Sequence, residues 1–227
     1  MLSESTVRFN GHQKNNIIPE AEDVTKGDVV LQKGQKISTS HLAVLASVGC
    51  SSPEVFKQPT IGIISTGSEI VEPKLKPEPS QIRNSNGYQL IAQVANCNAV
   101  PKYYGIIEDN YTATYNGLKK AIEECDMVLL TGGVSMGEFD FVPKIMEELG
   151  VSIKFDSVAV QPGKPTTFGT IASKFIFGLP GNPVSAFVQF EILVKPLIKR
   201  LAGDISKENI IKLPLGKDFN RKKGDRF

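Results

Sequence analysis

A chain of 227 residues with 41% hydrophobic and 22% charged content is long enough to bury a substantial core and has the make-up of an ordinary globular protein. The formal net charge of +2, with basic residues scattered except for a tail run at Arg221, Lys222 and Lys223, argues against a nucleic-acid-binding surface. Three cysteines, Cys50, Cys97 and Cys125, are odd in number and share no C-x-x-C spacing, so no disulfide framework is implied and a reducing compartment, the cytosol, is expected.

The polar opening, MLSESTVRFNGHQKNN, argues against a signal peptide or a membrane span. Residues 27–34, GDVVLQKG, read as a short strand between turn glycines, part of a small β unit. Residues 39–48 predict a short helix with Leu42, Leu45, Ala46 and Val48 as its apolar positions and Gly49 as its stop. SSPEVFKQP then connects this first segment, residues 1–58, to the rest.

From Thr60 onward strands alternate with helices. TIGIIST (60–66) predicts a buried strand ending in a glycine turn. Residues 84–97 predict a helix with Ser85 at its cap and Tyr88, Ile91, Ala92 and Ala95 facing inward. A strand over 99–107 precedes a helix over 111–125, which turns Leu118, Ala121 and Ile122 to the core. MVLLT (127–131) is the clearest buried strand. A helix over 140–149 follows, then strands over 151–160, 166–170 and 175–178. The last helix spans 183–201, with Asn182 as N-cap, Pro183 at the first helical position and Pro196 as a kink or a division into two segments. This alternation predicts an α/β domain over 59–203, a mostly parallel sheet with helices on both faces. After Gly203, IIKLPLG opens a strand, and residues 204–227 read as the start of a further β domain.

In an open parallel sheet, ligands bind at the carboxyl ends of the strands. Three glycine loops fall there: Ser65-Thr66-Gly67-Ser68-Glu69, then TGGVSMGEFD (131–140), then GLPGNPVS (178–185). Glycine lets the backbone approach an anion closely, and a following helix start adds a favourable dipole. One such loop alone is ordinarily a tight turn; three in one domain, each bearing hydroxyls or a carboxylate, point to a phosphate-bearing small molecule. Residues 161–165, QPGKP, form a rigid turn presenting Lys164, either a solvated lysine or a point charge for an oxyanion. Glu69 and Asp140 are the favoured functional carboxylates, since carboxylates beside a phosphate need a hard cation such as Mg²⁺ to bridge them. Asp140 also fits a plain helix start, Glu69 a solvated loop, and Glu138 an exposed position.

These residues resemble the MoeA/gephyrin E-domain family, the molybdenum insertases of molybdenum cofactor synthesis. The resemblance rests on STGSE (65–69), IRNSNGYQL (82–90), TGGVSMGEFDF (131–141), PGKPTTFG (162–169) and GLPGNPVSA (178–186), in order across residues 59–203. Residues 1–58 are similar to the segment preceding that domain. The resemblance implies the molybdopterin-binding, MogA-like fold, with adenylylated molybdopterin and molybdate as substrates, Mg²⁺ as cofactor, and release of AMP. It assigns phosphate binding to Gly132, Gly133, Ser135 and Gly137, metal holding and catalysis to Glu69 and Asp140, and a place near molybdate to Lys164 and Ser185. Thr66, Gly67, Ser68, Val134, Pro162, Gly163, Pro180, Gly181 and Asn182 complete the contacting set.

The sequence departs from the family pattern at Ser68 and Asn84, where Asp is common, and at Gln161, where Lys is usual. Fewer charges there imply weaker metal and oxyanion affinity. The resemblance therefore allows two functions: an insertase acting as a homodimer, or a gephyrin-like scaffold that keeps the fold and binds a partner protein.

Overall fold

A computed structural model describes residue 11 and residues 18–132, 142–204, 211–214 and 216–217. The chain divides into two compact units, Met1–Pro53 and Glu54–Phe227. In the first, α1 (Thr39–Ser47) is the regular element among the described residues; Ser38 caps it, accepting from the His41 amide. Only Leu45 of its apolar positions is buried; Leu42 and Val48 are exposed. The strand expected over 27–34 does not form. A strand needs a hydrogen-bonded neighbour, and the described residues of this unit supply none.

The second unit is built on a six-stranded sheet. Its strands are β1 (Thr60–Thr66), β4 (Val100–Ile107), β5 (Met127–Thr131), β6 (Ser152–Ser157), β7 (Pro165–Ile171) and β8 (Lys174–Leu179), in the spatial order β4-β1-β5-β8-β7-β6. The first four in that order run parallel; β7 and β6 are antiparallel. A separate pair, β2 (Ile70–Val71) and β3 (Ile82–Arg83), forms a small parallel excursion after β1 that the sequence reading did not contain. Each member is two residues long, too short for a period-2 pattern to register.

Alternation along the buried strands explains the two-faced core. Ile61, Ile63, Met127, Leu129, Phe177 and Leu179 meet Leu90 and Val94 of α2 (Asn86–Asn96) together with Phe190, Val194 and Ile198. On the opposite face Ile64, Val128, Leu130 and Ile176 meet Leu118, Ala121 and Ile122 of α3 (Tyr111–Glu124) and Val142, Ile145 and Met146 of α4 (Val142–Glu148). Burying each such side chain fully contributes about 1.5–3 kcal/mol.

The chain leaves β1 through α2 to β4 on one side, then crosses by α3 to β5 on the other. The order therefore reverses at β1, which creates the crevice where ligands of open α/β sheets bind.

Two helices depart from expectation in detail. The buried positions of α2 are Asn86, Gly87, Leu90, Gln93 and Val94, whereas Tyr88, Ala92 and Ala95 are exposed. The last helix is interrupted: α5 (Pro183–Gln189) passes into a five-residue π-helical stretch, Phe190–Val194, before α6 (Lys195–Leu201). Pro196 lies in the first turn of α6, where its missing N–H is harmless, and the widened stretch just before it accommodates its ring.

Candidate functional site

Thr131 of β5 pairs with Ser65 of β1 on one side and with Leu179 of β8 on the other. The turns that follow these three strands therefore leave the sheet at one rim. The register of β1 with β4, Thr66 against Ile107, brings residues 108–110 to the same rim.

A cleft opens there. Its walls include Thr66, Glu69, Gly132 and Gly181 from the expected set, and also Arg83, Asn84 and Asn86. Gly132 shows why this turn requires glycine. Its φ is +93°, and a β-carbon would collide with the carbonyl oxygen of Thr66.

Below the cleft a polar network joins the strand ends to α2. Asn84, 3% exposed, donates through Nδ2 to Tyr103 Oη at 2.7 Å and Ser65 Oγ at 3.1 Å, and its Oδ1 accepts the Gly87 amide at 3.0 Å. Gly87 must be small: a β-carbon would come within 2.9 Å of both Asn84 Nδ2 and Ser65 Oγ. Tyr103 Oη donates to Glu72 Oε1 at 3.0 Å, and Tyr88 Oη donates to the other oxygen of that carboxylate at 2.8 Å. Burial, and then the bond to Glu72, hold the Tyr103 phenol well above its ordinary range.

The second network starts at Asn86. Its Nδ2 donates to Thr131 Oγ1 at 2.8 Å and to the Gly181 carbonyl at 2.9 Å, while Thr131 donates to the Pro180 carbonyl at 3.2 Å. Among the described residues, two buried side-chain atoms of residues that line the cleft, Thr66 Oγ1 and Asn86 Oδ1, have no hydrogen-bond partner. Such atoms are uncommon in folded proteins and mark places where a ligand or water completes the structure.

Other expected residues lie off the cleft walls. Asn182 Oδ1 accepts the amides of Val184 and Ser185 at 3.0 and 3.1 Å, so this side chain caps α5, with Ser185 buried behind it. Pro162, Gly163 and Lys164 form the turn into β7, which the Thr167–Gly178 pairing brings to the same rim beyond β8. Gly163 packs under Gln189, and Lys164 is exposed. Gly67 is buried, Ser68 and Glu69 are exposed, and Pro180 lends its carbonyl to Thr131. Gly133, Val134, Ser135, Gly137, Glu138 and Asp140 lie outside the described residues.

Sequence reasoning did not single out Arg83 or Asn86. Arg83, whose Nε donates to the Pro73 carbonyl at 3.1 Å, is the cation among the described lining residues. Both belong to the IRNSN run, which was visible as a motif but gave neither of these two residues a role.

Residues 62–200 match the family described as a probable molybdopterin binding domain. A molybdopterin molybdenumtransferase of Staphylococcus epidermidis is 38% identical over 217 residues, which is 95% of this chain and 52% of that protein. One of Bacillus subtilis is 39% identical over 206 residues, 90% of this chain and 48% of the relative. The chain thus spans about half the length of these curated relatives. Among solved structures, the molybdopterin biosynthesis MoeA protein of Pyrococcus horikoshii superposes with a TM-score of 0.73 at 34% identity, covering 81% of this chain and 46% of the other. That agreement supports the mostly parallel sheet with helices on both faces.

Proposed function

Because the chain belongs to the family of probable molybdopterin binding domains, we propose that it carries the pterin-binding core of a molybdenum insertase. Its substrates are adenylylated molybdopterin and molybdate, and AMP is released. One observation carries this reading: β1, β5 and β8 end at one rim, where Thr66, Gly132 and Gly181 line a cleft and, among the described residues, the buried Thr66 Oγ1 and Asn86 Oδ1 lack a hydrogen-bond partner.

In this reading the Thr66 hydroxyl donates to a phosphate oxygen, and the Gly132 turn allows the ligand to approach the backbone. Arg83 and Lys164 supply positive charge from two sides of the rim, Lys164 attracting molybdate. Gly133, Ser135 and Gly137 are assigned to the pterin phosphate by the family resemblance.

Among the described residues no three Asp, Glu, His or Cys side chains gather as a metal cage. Among the described lining residues Glu69 is the carboxylate. That donor set suits Mg²⁺, which keeps several waters and needs only one or two carboxylates beside a substrate phosphate. Glu69, with Asp140, would hold it, and the bound ion would withdraw charge from the leaving phosphate. Glu69 is exposed and lines the cleft, which leaves its carboxylate open to solvent.

A second reading, a scaffold that binds without chemistry, is favoured by Asn84. Where the family commonly carries Asp, this side chain is neutral, buried and spent on Ser65, Tyr103 and Gly87. In the longer protein we place the insertase as a cytoplasmic homodimer. Among the described residues no helix is long and apolar enough to cross a membrane.

The test is to supply adenylylated molybdopterin, molybdate and Mg²⁺ and to follow AMP release. AMP above background supports the insertase. Pterin binding without AMP supports the scaffold, and loss of both refutes the site.

A further inference from the structure

We propose that Gln189 is a positioning residue: from α5 it grips the 161–165 turn and holds Lys164 where an oxyanion can dock. The role of Lys164 toward molybdate rests on the proposed function; the grip itself is read from the geometry.

Three successive carbonyls of this turn are each held by a different element. Gln189 Nε2 donates to the Pro162 carbonyl at 3.3 Å, and Thr166 Oγ1 donates to the Gly163 carbonyl at 3.0 Å. The Val158 amide donates to the Lys164 carbonyl at 2.9 Å. Thr166 belongs to β7 and Val158 follows directly on β6, so both lie on the hairpin that carries the turn. Gln189 is the last residue of α5, and among the described residues its bond is the one that joins the turn to that helix.

Packing makes the same connection. Gly163 is buried with φ +112°, and a β-carbon there would come within 2.8 Å of Gln189 Cγ. Glycine thus lets the turn lie directly on the glutamine. Lys164 follows at once and is exposed, so its backbone is fixed while its ammonium stays in solvent. A long side chain loses freedom when it binds an anion, and a fixed backbone leaves it less to lose. At its other end α5 starts beside the cleft, where Gly181 and Pro183 form part of the wall. One helix therefore keeps the Lys164 turn and that wall in register.

Stability alone does not call for glutamine here. Gln189 is fully buried and, among the described residues, its Oε1 has no hydrogen-bond partner. An apolar side chain of similar size would avoid that cost. Pro162 is exposed, so its carbonyl turns to water once released. An amide kept at a cost to the fold is the pattern of a residue that serves a site.

The test titrates the full 227-residue chain by calorimetry with molybdate and, separately, with 6-hydroxymethylpterin phosphate. Lys164→Ala should weaken molybdate binding roughly tenfold or more, the worth of a bond to a charged group. Gln189→Met keeps the volume and removes the donor. It should weaken molybdate roughly three- to tenfold, the cost of ordering one released side chain, and leave pterin phosphate binding unchanged. Its urea stability should equal or exceed that of the unaltered chain, which a purely structural role forbids. Lys164→Ala combined with Gln189→Met should lose no more molybdate affinity than Lys164→Ala alone, because the grip acts through the lysine. If Gln189→Met does not fold, Gly163→Ala, which forces the turn off the glutamine, takes its place with the same expectation for molybdate.

Molybdate binding that falls in Lys164→Ala but not in Gln189→Met overturns this inference and leaves the proposed function standing. Additive losses in the double variant, or equal weakening of both ligands with falling stability, overturn it too. No molybdate binding by the unaltered chain, or none lost in Lys164→Ala, refutes the proposed place of Lys164 together with this inference.

Discussion

Tyr103 on β4 donates its hydroxyl to Glu72 at 3.0 Å, and this bond helps tie the excursion between β1 and α2 to the edge of the sheet. The same phenol accepts from Asn84, so the strand end, the excursion and the cleft floor share one oxygen. Tyr103→Phe should cost about 1–2 kcal/mol near neutral pH, the net worth of bonds that include a charged acceptor. It should also change the response to alkali. The folded-state pKa of Tyr103 is raised, by burial first and then by Glu72. Above about pH 10 the unfolded chain therefore releases a proton that the folded chain keeps. That part of the stability is complete below pH 10 and declines as pH rises beyond it. Urea unfolding of both proteins between pH 8 and pH 12, values chosen to bracket a free phenol at about 10, should show a shallower decline for Tyr103→Phe. Parallel curves would remove Tyr103 from the account.

Gly132 offers a second test. A side chain at φ +93° costs about 1–3 kcal/mol in strain, and the carbonyl of Thr66 leaves it no room. Gly132→Ala should lower urea stability by at least that amount and should weaken binding of a pterin phosphate tenfold or more. Unchanged stability would mean that the turn relaxes easily and that its shape is not held by close packing.

Much of the sheet was legible because its signals are local. TIGIIST and MVLLT are continuous apolar runs closed by glycine, and each is a strand with the expected limits. Asn182 followed by Pro183 predicts a capped helix start, and the side chain accepts two amides there. The inward face of α2 was not legible for the opposite reason. Tyr88, Ile91, Ala92 and Ala95 make the better apolar stripe, yet Asn86 and Gln93 occupy buried positions. Their partners, Thr131, Gly181 and Glu191, lie far along the chain, and periodicity cannot register polar groups satisfied at that distance. The cleft was legible as a rim of glycine turns, but the unpartnered Asn86 Oδ1 was not, because that depends on which way one amide points.

Glu191 extends the same point to pH. Burial raises its pKa, but hydrogen bonds from Lys195 and Gln93 outweigh this, and the net shift is downward. A lowered folded pKa stabilises the protein above the free carboxyl value of about 4.3 and is lost as pH falls through the folded value. Glu191→Gln should therefore be less stable than the unaltered chain at pH 7 and nearly level with it in strong acid. Thermal melts across that interval decide it, and a constant difference would show that the carboxylate contributes packing without charge.

Glu69 is the sharpest test of the proposed chemistry, because substitution there alters charge while leaving the buried networks intact. Its carboxylate is exposed on the cleft and, among the described residues, makes no side-chain hydrogen bond or ion pair to another element. Glu69→Gln should leave urea stability within about 0.5 kcal/mol, as expected for a surface site. If the carboxylate and Asp140 share Mg²⁺, the variant should need tenfold or more additional Mg²⁺ for half-maximal AMP release, and Asp140→Ala should abolish release. A chelator should mimic the double loss in the unaltered chain. An unchanged Mg²⁺ requirement in Glu69→Gln would put the metal elsewhere, and an unchanged rate in Asp140→Ala would remove the second ligand. Both results together would leave pterin binding at the rim without metal-assisted cleavage, which is the scaffold function.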